Sequence, residues 1–178
     1  MERMIRVALI RHPRPLVAAG ICYGRLDLAE HADAAVQIAA VVGALQFFAP
    51  AAVWSSPALR CQGMARAVAA SCGAKLHQDV RLLEMDFGAW EGLAWDDVPR
   101  EALDRWAQDP LGFAPPGGET GRALVKRVSA FHAAIVAHSK DCVVVTHGGP
   151  LKVLRALRGG VAIDLMAPAM AIGAVELT

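Results

Sequence analysis

The stretch DCVVVTHGG, residues 141–149, decides the fold class that this sequence predicts. Three consecutive valines form a β-branched apolar run, which is typical of a strand buried on both faces. Thr146, His147 and two glycines end this run, and the spacing of apolar residues over 150–157 then predicts a helix. A buried strand that passes directly into a helix is the repeating unit of a parallel α/β sheet.

The rest of the chain alternates between short apolar runs and helical patterns in the same way. Further strands are predicted at 7–10, 51–56, 75–78 and 171–177. Further helices are predicted at about 31–45, 57–71 and 100–106, and after the segment PPGGET at 115–120. This order predicts an α/β fold: a three-layer sandwich with a mostly parallel, doubly wound sheet and helices on both faces.

Local patterns also predict how the first two helices begin and which face they bury. In the first helix, the apolar residues at helical spacing are Ala35, Ile38, Ala39, Val42 and Leu45. In the second helix, we expect Ser56 to be the N-cap and Pro57 the first helical residue, because that position needs no N–H.

The domain organisation follows from the chain length and from one irregular segment. A length of 178 residues suits a single domain over 1–178 with a substantial core. The segment at about 90–116 is rich in Trp, Asp and Pro, and we predict that it is an insertion or lid with a short helix. Trp90, Trp95 and Trp106 are expected to pack this insertion, with the floor of a substrate pocket as the alternative.

Composition and charge exclude several classes of function. A formal net charge of +1 without a basic run argues against nucleic acid as a partner, and no apolar run is long enough for a membrane span. The four cysteines are scattered without a CxxC pair, which predicts free thiols in the reducing cytoplasm. Neither the cysteines nor the six histidines have metal-site spacing, so no metal and no cofactor are expected. The sequence carries no signal for an oligomeric state.

Polar residues follow three of the predicted strands, at the point where each strand ends. Arg11 and His12 follow the first strand, SSPALR at 55–60 follows the second, and THGG at 146–149 ends the stretch quoted above. In open α/β sheets, ligands bind beyond the carboxyl ends of the strands. One Arg–His pair alone would be a surface charge pair, but two histidines and two arginines that converge from three strand ends indicate a chemical site.

These motifs resemble the histidine phosphatase superfamily, also called phosphoglycerate-mutase-like. Its pattern is an Arg–His pair, a downstream arginine that opens a helix, a mid-chain acid and a late histidine. The segments that carry the resemblance are LIRH at 9–12, SSPALRCQGMA at 55–65, LLEMDFGAWEG at 82–92, PPGGET at 115–120 and VVTHGGPLKVL at 144–154. Together they span nearly the whole chain in the expected order. Within the family, CYGRLD at 22–27 looks most like the α-ribazole phosphatase branch of cobalamin biosynthesis.

The resemblance implies a phosphohistidine mechanism on a small phosphorylated metabolite. His12 matches the nucleophile that takes the phosphoryl group, and a neutral imidazole nitrogen is nucleophilic near neutral pH. Arg11, Arg60 and His147 match the groups that clamp the phosphoryl oxygens. For this role, His147 has to be protonated or to donate a hydrogen bond.

Glu84 matches the residue that gives a proton to the leaving oxygen and later takes one from the attacking water. Asp86 and Glu91 are the alternatives for this acid. Arg25 and Gly148 are implied as further phosphate or substrate contacts.

Pro13 departs from the family pattern, which has glycine after the nucleophilic histidine. Proline has no N–H, so a phosphate contact from that backbone position would be lost. The five charged positions of the pattern are nevertheless present, which favours an active enzyme over an inactive relative.

The function that the resemblance favours is metal-independent hydrolysis of a phosphomonoester, with α-ribazole 5′-phosphate as the named candidate. Phosphoryl transfer of the phosphoglycerate-mutase type is the nearest alternative, but it calls for extra lid and tail elements around the site. A regulatory protein that acts on phosphohistidine, or a non-catalytic phospho-binding module, is the alternative from another class.

Overall fold

The computed structural model describes residues 5–178, which form an α/β sandwich. Its strands are β1 (Val7–Arg11), β2 (Ala52–Ser55), β3 (Lys75–Gln78), β4 (Cys142–Thr146) and β5 (Val175–Leu177). Its helices are α1 (Ala34–Ala44), α2 (Leu59–Cys72), α3 (Arg100–Gln108), α4 (Gly121–Ala137) and α5 (Gly148–Gly159). Across the described residues, none of the helices has the length and apolar character needed to cross a membrane.

The strands form one sheet in the order β3-β2-β4-β1-β5. The first four are parallel to one another, and β5 pairs with β1 in the antiparallel direction. The register places Arg11 of β1 opposite Thr146 of β4, and Ser55 of β2 opposite Val145. Three neighbouring strands therefore end at the same edge. The prediction of a mostly parallel, doubly wound sheet is confirmed, with β5 shorter than the predicted 171–177.

Alternate residues of the central strands face two separate cores. Val7 and Leu9 of β1 are buried in one core with residues of α4 and α5. Ala8 and Ile10 of the same strand are buried in the other core with residues of α1 and α2. The valines of β4 divide in the same way, because successive side chains of a strand point to opposite faces. The predicted three layers are therefore confirmed.

The first helix buries part of the predicted face: Ile38, Val42 and Leu45 pack in the core as predicted, whereas Ala35 and Ala39 do not. Its core-facing residues are Ala34, Ile38, Val41, Val42 and Leu45. Ala35 and Ala39, both predicted on this face, are exposed. The sequence of α1 has alanine or valine on every side, so the spacing of its apolar residues did not determine which face packs.

The starts of α2 and α5 also correct the prediction. α2 begins at Leu59 with Ala58 as its N-cap, two residues later than predicted. The hydroxyl of Ser56 accepts the N–H of Ala58 at 3.3 Å ahead of the helix and lies 2.8 Å from His147 Nε2. α5 begins at Gly148 and includes Pro150 in its first turn. Proline is tolerated there because the first N–H groups of a helix have no intrahelical acceptor.

The predicted insertion at about 90–116 folds around a cluster of aromatic side chains. Trp90 is only 3% exposed, and its ring contacts those of Trp95 and Trp106 edge to face. α3 provides the short predicted helix. The tryptophans thus pack this segment, and Trp106 also lines a cavity at the carboxyl edge of the sheet. The description of the segment as a lid on a single domain over 1–178 stays a prediction.

Candidate active site

The carboxyl ends of three neighbouring strands bring the predicted residues together. β2, β4 and β1 lie side by side, and the residues that follow them are Ser56, His147 and His12. The ring centroids of the two histidines are 5.1 Å apart. His12 is 1% exposed and His147 is 0% exposed, so both rings are buried. We call this buried pair the floor of the site.

The ring of His12 is held in one tautomer by the residue that follows it. Nδ1–H donates to the carbonyl oxygen of Pro13 at 2.7 Å, so Nε2 keeps its lone pair. Burial and, to a smaller degree, the positive charges of Arg60 and Arg11 lower the pKa of His12 from 6.5 to about 3. The ring is therefore neutral near pH 7, with a free nitrogen for attack. Pro13 offers a ligand no N–H, but its carbonyl group orients the histidine.

His147 is held between Arg60 and Ser56. Nε of Arg60 donates to Nδ1 of His147 at 3.2 Å, so the ring proton is on Nε2, which lies 2.8 Å from Ser56 Oγ. Burial lowers the pKa of His147 well below 6.5, and the positive charges of Arg60 and Arg11 act in the same direction. His147 is therefore neutral here and donates through Nε2, and a protonated ring needs an anion beside it.

The guanidinium of Arg60 is fixed by the loop at 22–27. It donates to the carbonyl oxygens of Gly24 and Leu26, both at 2.7 Å, and its Cζ lies 5.3 Å from the ring centroid of Tyr23. Arg60 is 1% exposed. A guanidinium buried and oriented in this way is suited to binding an anion such as a phosphoryl group.

Arg11, which precedes His12 in the chain, lines a cavity of about 170 Å³ that neither His12 nor His147 lines. Its Nη1 donates to the carbonyl oxygen of Met170 at 2.5 Å. Its Nε is buried and has no hydrogen-bond partner within residues 5–178. Glu84 lines the same cavity. Arg11 and Glu84 therefore lie on the lining of one cavity.

Glu84 is held by the first turn of α5. The N–H of Gly149 donates to its two carboxylate oxygens at 3.1 and 3.2 Å, and the N–H of Met85 donates to Oε1 at 2.9 Å. A Cβ built onto Gly149 would overlap Glu84 Oε1, so the close approach requires glycine. At Gly148, a Cβ would meet its nearest neighbours, Arg11 among them, at an ordinary 3.5 Å. The substrate contact predicted for Gly148 stays a prediction.

The two alternatives to Glu84 are bound to backbone N–H groups away from the cavity. Asp86 accepts a hydrogen bond from Gly88 at 2.9 Å, within its own turn. Glu91 accepts from two N–H groups of the loop at 22–27, at 2.8 and 2.7 Å, and so ties that loop in place. In the part of the chain that the structure describes, Glu84 is the one of these three acids that lines the cavity.

Arg25 lies behind Glu84. Its Nε donates to the carbonyl oxygen of Glu84 at 2.8 Å, and its Nη2 pairs with Glu119 at 3.5 Å. These contacts support the backbone of the candidate acid. The phosphate or substrate contact predicted for Arg25 stays a prediction.

Two further basic residues at the site were not indicated by the sequence. Arg127 of α4 donates to the carbonyl oxygen of Glu84 at 3.0 Å and pairs with Glu119 at 2.6 Å. Lys152 of α5 lines the cavity beside Glu84. Both occur within ordinary helical patterns, and no signal in the sequence separates Arg127 from the exposed Arg122 of the same helix.

The donor groups of the site suit an anion. Arg60 brings a buried guanidinium to His147, and Arg11 brings a partly buried one to the lining of the cavity. No group of three or more His, Cys, Asp or Glu side chains that could hold a metal ion occurs within residues 5–178. The arrangement can bind a phosphoryl group, present a neutral imidazole to it and place a carboxyl group on the side of the alcohol.

Known proteins resemble this chain in sequence. The family described as the histidine phosphatase superfamily (branch 1) matches residues 7–172. A bifunctional protein of Mycobacterium tuberculosis is 36% identical over 109 residues, which are 58% of this chain and 30% of that protein. The putative phosphoserine phosphatase 2 of Hydrogenobacter thermophilus is 28% identical over 166 residues, which are 90% of this chain and 82% of that protein. The match to the mycobacterial protein therefore spans less than a third of its length.

The fold is also that of a solved phosphatase. The crystal structure of the α-ribazole phosphatase from Shigella flexneri superposes with a TM-score of 0.87 at 25% sequence identity. The superposition covers 97% of this chain and 89% of that chain. The likeness extends over the whole sheet and both helical layers, so it includes the strand ends that carry the site.

Proposed function

This chain belongs to the histidine phosphatase superfamily (branch 1), and on that premise we propose that it hydrolyses a small phosphomonoester through a phosphohistidine on His12. The observation that carries the proposal is the state of the His12 ring. Its Nδ1–H is bound to Pro13, its pKa is lowered to about 3, and its free Nε2 lies in a floor shared with His147 and Arg60. A buried, neutral and oriented imidazole beside guanidiniums is what attack on a phosphate dianion needs.

In the first step, Nε2 of His12 forms a bond to phosphorus as the bond from phosphorus to the alcohol oxygen breaks. Arg11 and Arg60 hold the phosphoryl oxygens. The Nε2–H of His147, which donates to Ser56 Oγ in the absence of substrate, turns to one of these oxygens. The phosphoryl dianion offsets the positive charge of the two arginines and so favours protonation of His147.

Glu84 is proposed as the proton donor to the departing alcohol. In the second step, the same carboxylate takes a proton from water as the water oxygen attacks phosphorus, which releases phosphate and restores neutral His12. The support for this role is the place of Glu84 in the cavity next to Arg11, where the alcohol of a bound ester has room.

Phosphate release from 4-nitrophenyl phosphate and from a panel of phosphorylated metabolites tests the proposal. We expect multiple turnovers at a rate that a chelator does not change, because arginine and histidine side chains of this protein bind the negative charge of the phosphoryl group. Acid-labile, alkali-stable label on His12 after rapid quench identifies the intermediate. Isomerisation of a phosphoglycerate without phosphate release would indicate a mutase, and binding without turnover would indicate a phospho-binding module.

The alcohol half of the substrate is a separate question. The resemblance of the sequence to the α-ribazole phosphatase branch suggests α-ribazole 5′-phosphate as a substrate. The similarity to a solved α-ribazole phosphatase supports its inclusion in the panel. The segment CYGRLD at 22–27, however, also has a structural role. Its carbonyl groups accept hydrogen bonds from Arg60, and its N–H groups donate to Glu91. We therefore propose α-ribazole 5′-phosphate as one compound to test. A place in cobalamin biosynthesis depends on that result.

The cytoplasmic location that the sequence predicts is also a proposal. It is supported by the four cysteines, which are unpaired in the structure. Cell fractionation tests it, and recovery of the protein outside the cytoplasm would contradict it.

A further inference from the structure

The segment at 83–87, which carries Glu84, belongs to no helix or strand. Backbone N–H and C=O groups of a folded protein need partners, and outside regular structure these come from side chains, turns or water. Here two side chains supply several of them: Arg127 on α4, and Glu119 in the loop before that helix. The proposed mechanism gives neither residue a role.

The guanidinium of Arg127 makes five hydrogen bonds, one for each of its N–H groups. Nη1 donates to the carbonyl oxygens of Arg81 and Leu83 at 2.7 and 2.6 Å, and Nη2 donates to that of Glu84 at 3.0 Å. Nη2 and Nε also donate to the carboxylate of Glu119, at 2.6 and 3.2 Å. One planar group therefore binds three carbonyl groups of a short segment and an anion at the same time. A lysine, with its donors on a single atom, could not do so.

Glu119 holds the same segment from beyond Glu84. Its Oε1 accepts the N–H of Asp86 at 3.1 Å, so the backbone is bound on both sides of the candidate acid. The side chains of Arg127 and Glu119 are only 17% and 16% exposed. Burial alone would raise the pKa of Glu119, but the hydrogen bonds and charge of Arg127 lower it below its usual range. The pair is therefore ionised at neutral pH.

The pair acts on Glu84 through the backbone. Arg127 binds the carbonyl oxygen of Glu84, whereas the carboxyl group accepts the N–H of Gly149. Neither Arg127 nor Glu119 lines the cavity of Glu84. Loss of the pair should therefore displace the carboxyl group without removing a group that touches the ester.

We propose that Arg127, paired with Glu119, is a positioning residue that holds Glu84 where it protonates the leaving oxygen. The inference rests on the proposed function, in which Glu84 is the acid. It makes the pair important for proton transfer and unimportant for binding of the phosphoryl group.

The test measures kcat and KM with 4-nitrophenyl phosphate, whose oxygen leaves unprotonated, and with the best alkyl ester of the metabolite panel. Arg127→Met should lower kcat for the alkyl ester by up to about 10²-fold, as for a displaced catalytic group, and leave KM unchanged. The loss with 4-nitrophenyl phosphate should be much smaller. A merely structural role of Arg127 would lower kcat for both esters alike and would overturn the inference.

A double-mutant cycle separates positioning from a general loss of stability. Once Glu84 is replaced by Gln, the position of that side chain no longer serves proton transfer. Arg127→Met should therefore cost nothing further with the alkyl ester in the Glu84→Gln background. Additive losses in the double variant would contradict the inference.

Two more variants complete the design. Glu119→Gln keeps the shape of the side chain and weakens its pair with Arg127, so it should show the same dependence on leaving group with a smaller loss. It decides the question alone if Arg127→Met does not fold. Lys126→Met is the matched control, because Lys126 precedes Arg127 on α4, has the same charge and is exposed. We expect this control to keep the wild-type ratio of the two kcat values, and a loss equal to that of Arg127→Met would count against the inference.

The outcomes distinguish the inference from the proposed function. If Glu84→Gln depends on the leaving group while Arg127→Met and Glu119→Gln do not, the inference is wrong and the proposed function stands. If the wild type turns over no ester at all, the proposed function is wrong, and the inference fails with it.

Discussion

The two halves of the candidate site differ in burial and in how their side chains are held. In the phosphoryl half, formed by His12, Arg60 and His147, the residues are at most 1% exposed and are bonded to backbone carbonyl groups, to Ser56 or to one another. In the alcohol half, Glu84 and Lys152 are partly exposed and line a cavity.

This difference corresponds to what each half has to recognise. The phosphoryl group is common to all phosphomonoesters, and the half proposed to bind it follows the ends of hydrogen-bonded strands. The alcohol varies, and the half that receives it is built on α3, α5 and loops. Substitutions in the phosphoryl half should therefore affect all esters alike, whereas those in the alcohol half should depend on the leaving group.

The largest effect is expected for His12→Ala. Loss of the nucleophile removes the covalent route, so phosphate release should fall to background with alkyl and aryl esters alike. Arg14→Ala is the control, because Arg14 is an exposed residue two positions after His12 and pairs with Asp33. Substantial activity in His12→Ala, together with none in His147→Ala, would show that the two histidines have exchanged roles.

Glu84→Gln should lower kcat by an amount that depends on the leaving group, unlike a substitution in the phosphoryl half. With an alkyl ester, whose oxygen needs a proton to depart, kcat should fall by about 10²–10⁴-fold. With 4-nitrophenyl phosphate, whose oxygen leaves unprotonated, the loss should be much smaller. Asp86→Asn is the control, and a dependence on leaving group in this variant rather than in Glu84→Gln would make Asp86 the acid.

Gly149→Ala should disturb the alcohol half through its effect on Glu84. The added methyl group would overlap Glu84 Oε1 and displace the carboxyl group, and a misplaced catalytic group typically loses about 10²-fold in rate. Gly148→Ala has room for its methyl group and gains the same helix propensity, so it should lose less. Equal losses with an alkyl ester in the two variants would contradict the contact between Gly149 and Glu84.

The buried neutral state of His12 should appear as a dependence of stability on pH. In the unfolded chain His12 takes a proton below pH 6.5, whereas in the folded protein its pKa is about 3. The unfolded state therefore binds more protons as the pH falls from 6.5 toward 3, and the folded state loses stability over that range.

Between pH 7 and pH 5, this single group should lower the free energy of unfolding by about 2 kcal/mol. Urea unfolding of the wild type and of His12→Asn at both pH values measures the difference. The wild type should lose about that much more stability than the variant. Equal losses would show that the folded protein carries His12 with an ordinary pKa.

Much of the fold could be predicted because its signals are local. The valine run of β4 and the spacing of apolar residues in α4 each identify an element from adjacent residues. The errors occur where local patterns were ambiguous or overridden. α1 has alanine or valine on every side, so its spacing did not fix the buried face. Ser56 accepts the N–H of Ala58 ahead of α2 and bonds to His147, a residue 91 positions away.

The sequence by itself determined the fold class. It also determined that His12, Arg60 and His147 lie at one edge of the sheet, because the carboxyl ends of neighbouring parallel strands have to meet there. The tertiary structure alone decided the tautomers of the two histidines, the close approach of Gly149 to Glu84, and the positions of Arg127 and Lys152. Most of these features depend on hydrogen bonds between residues far apart in the chain, and such contacts leave no periodicity in the sequence. The alcohol half is thus defined by packing between residues far apart in the chain.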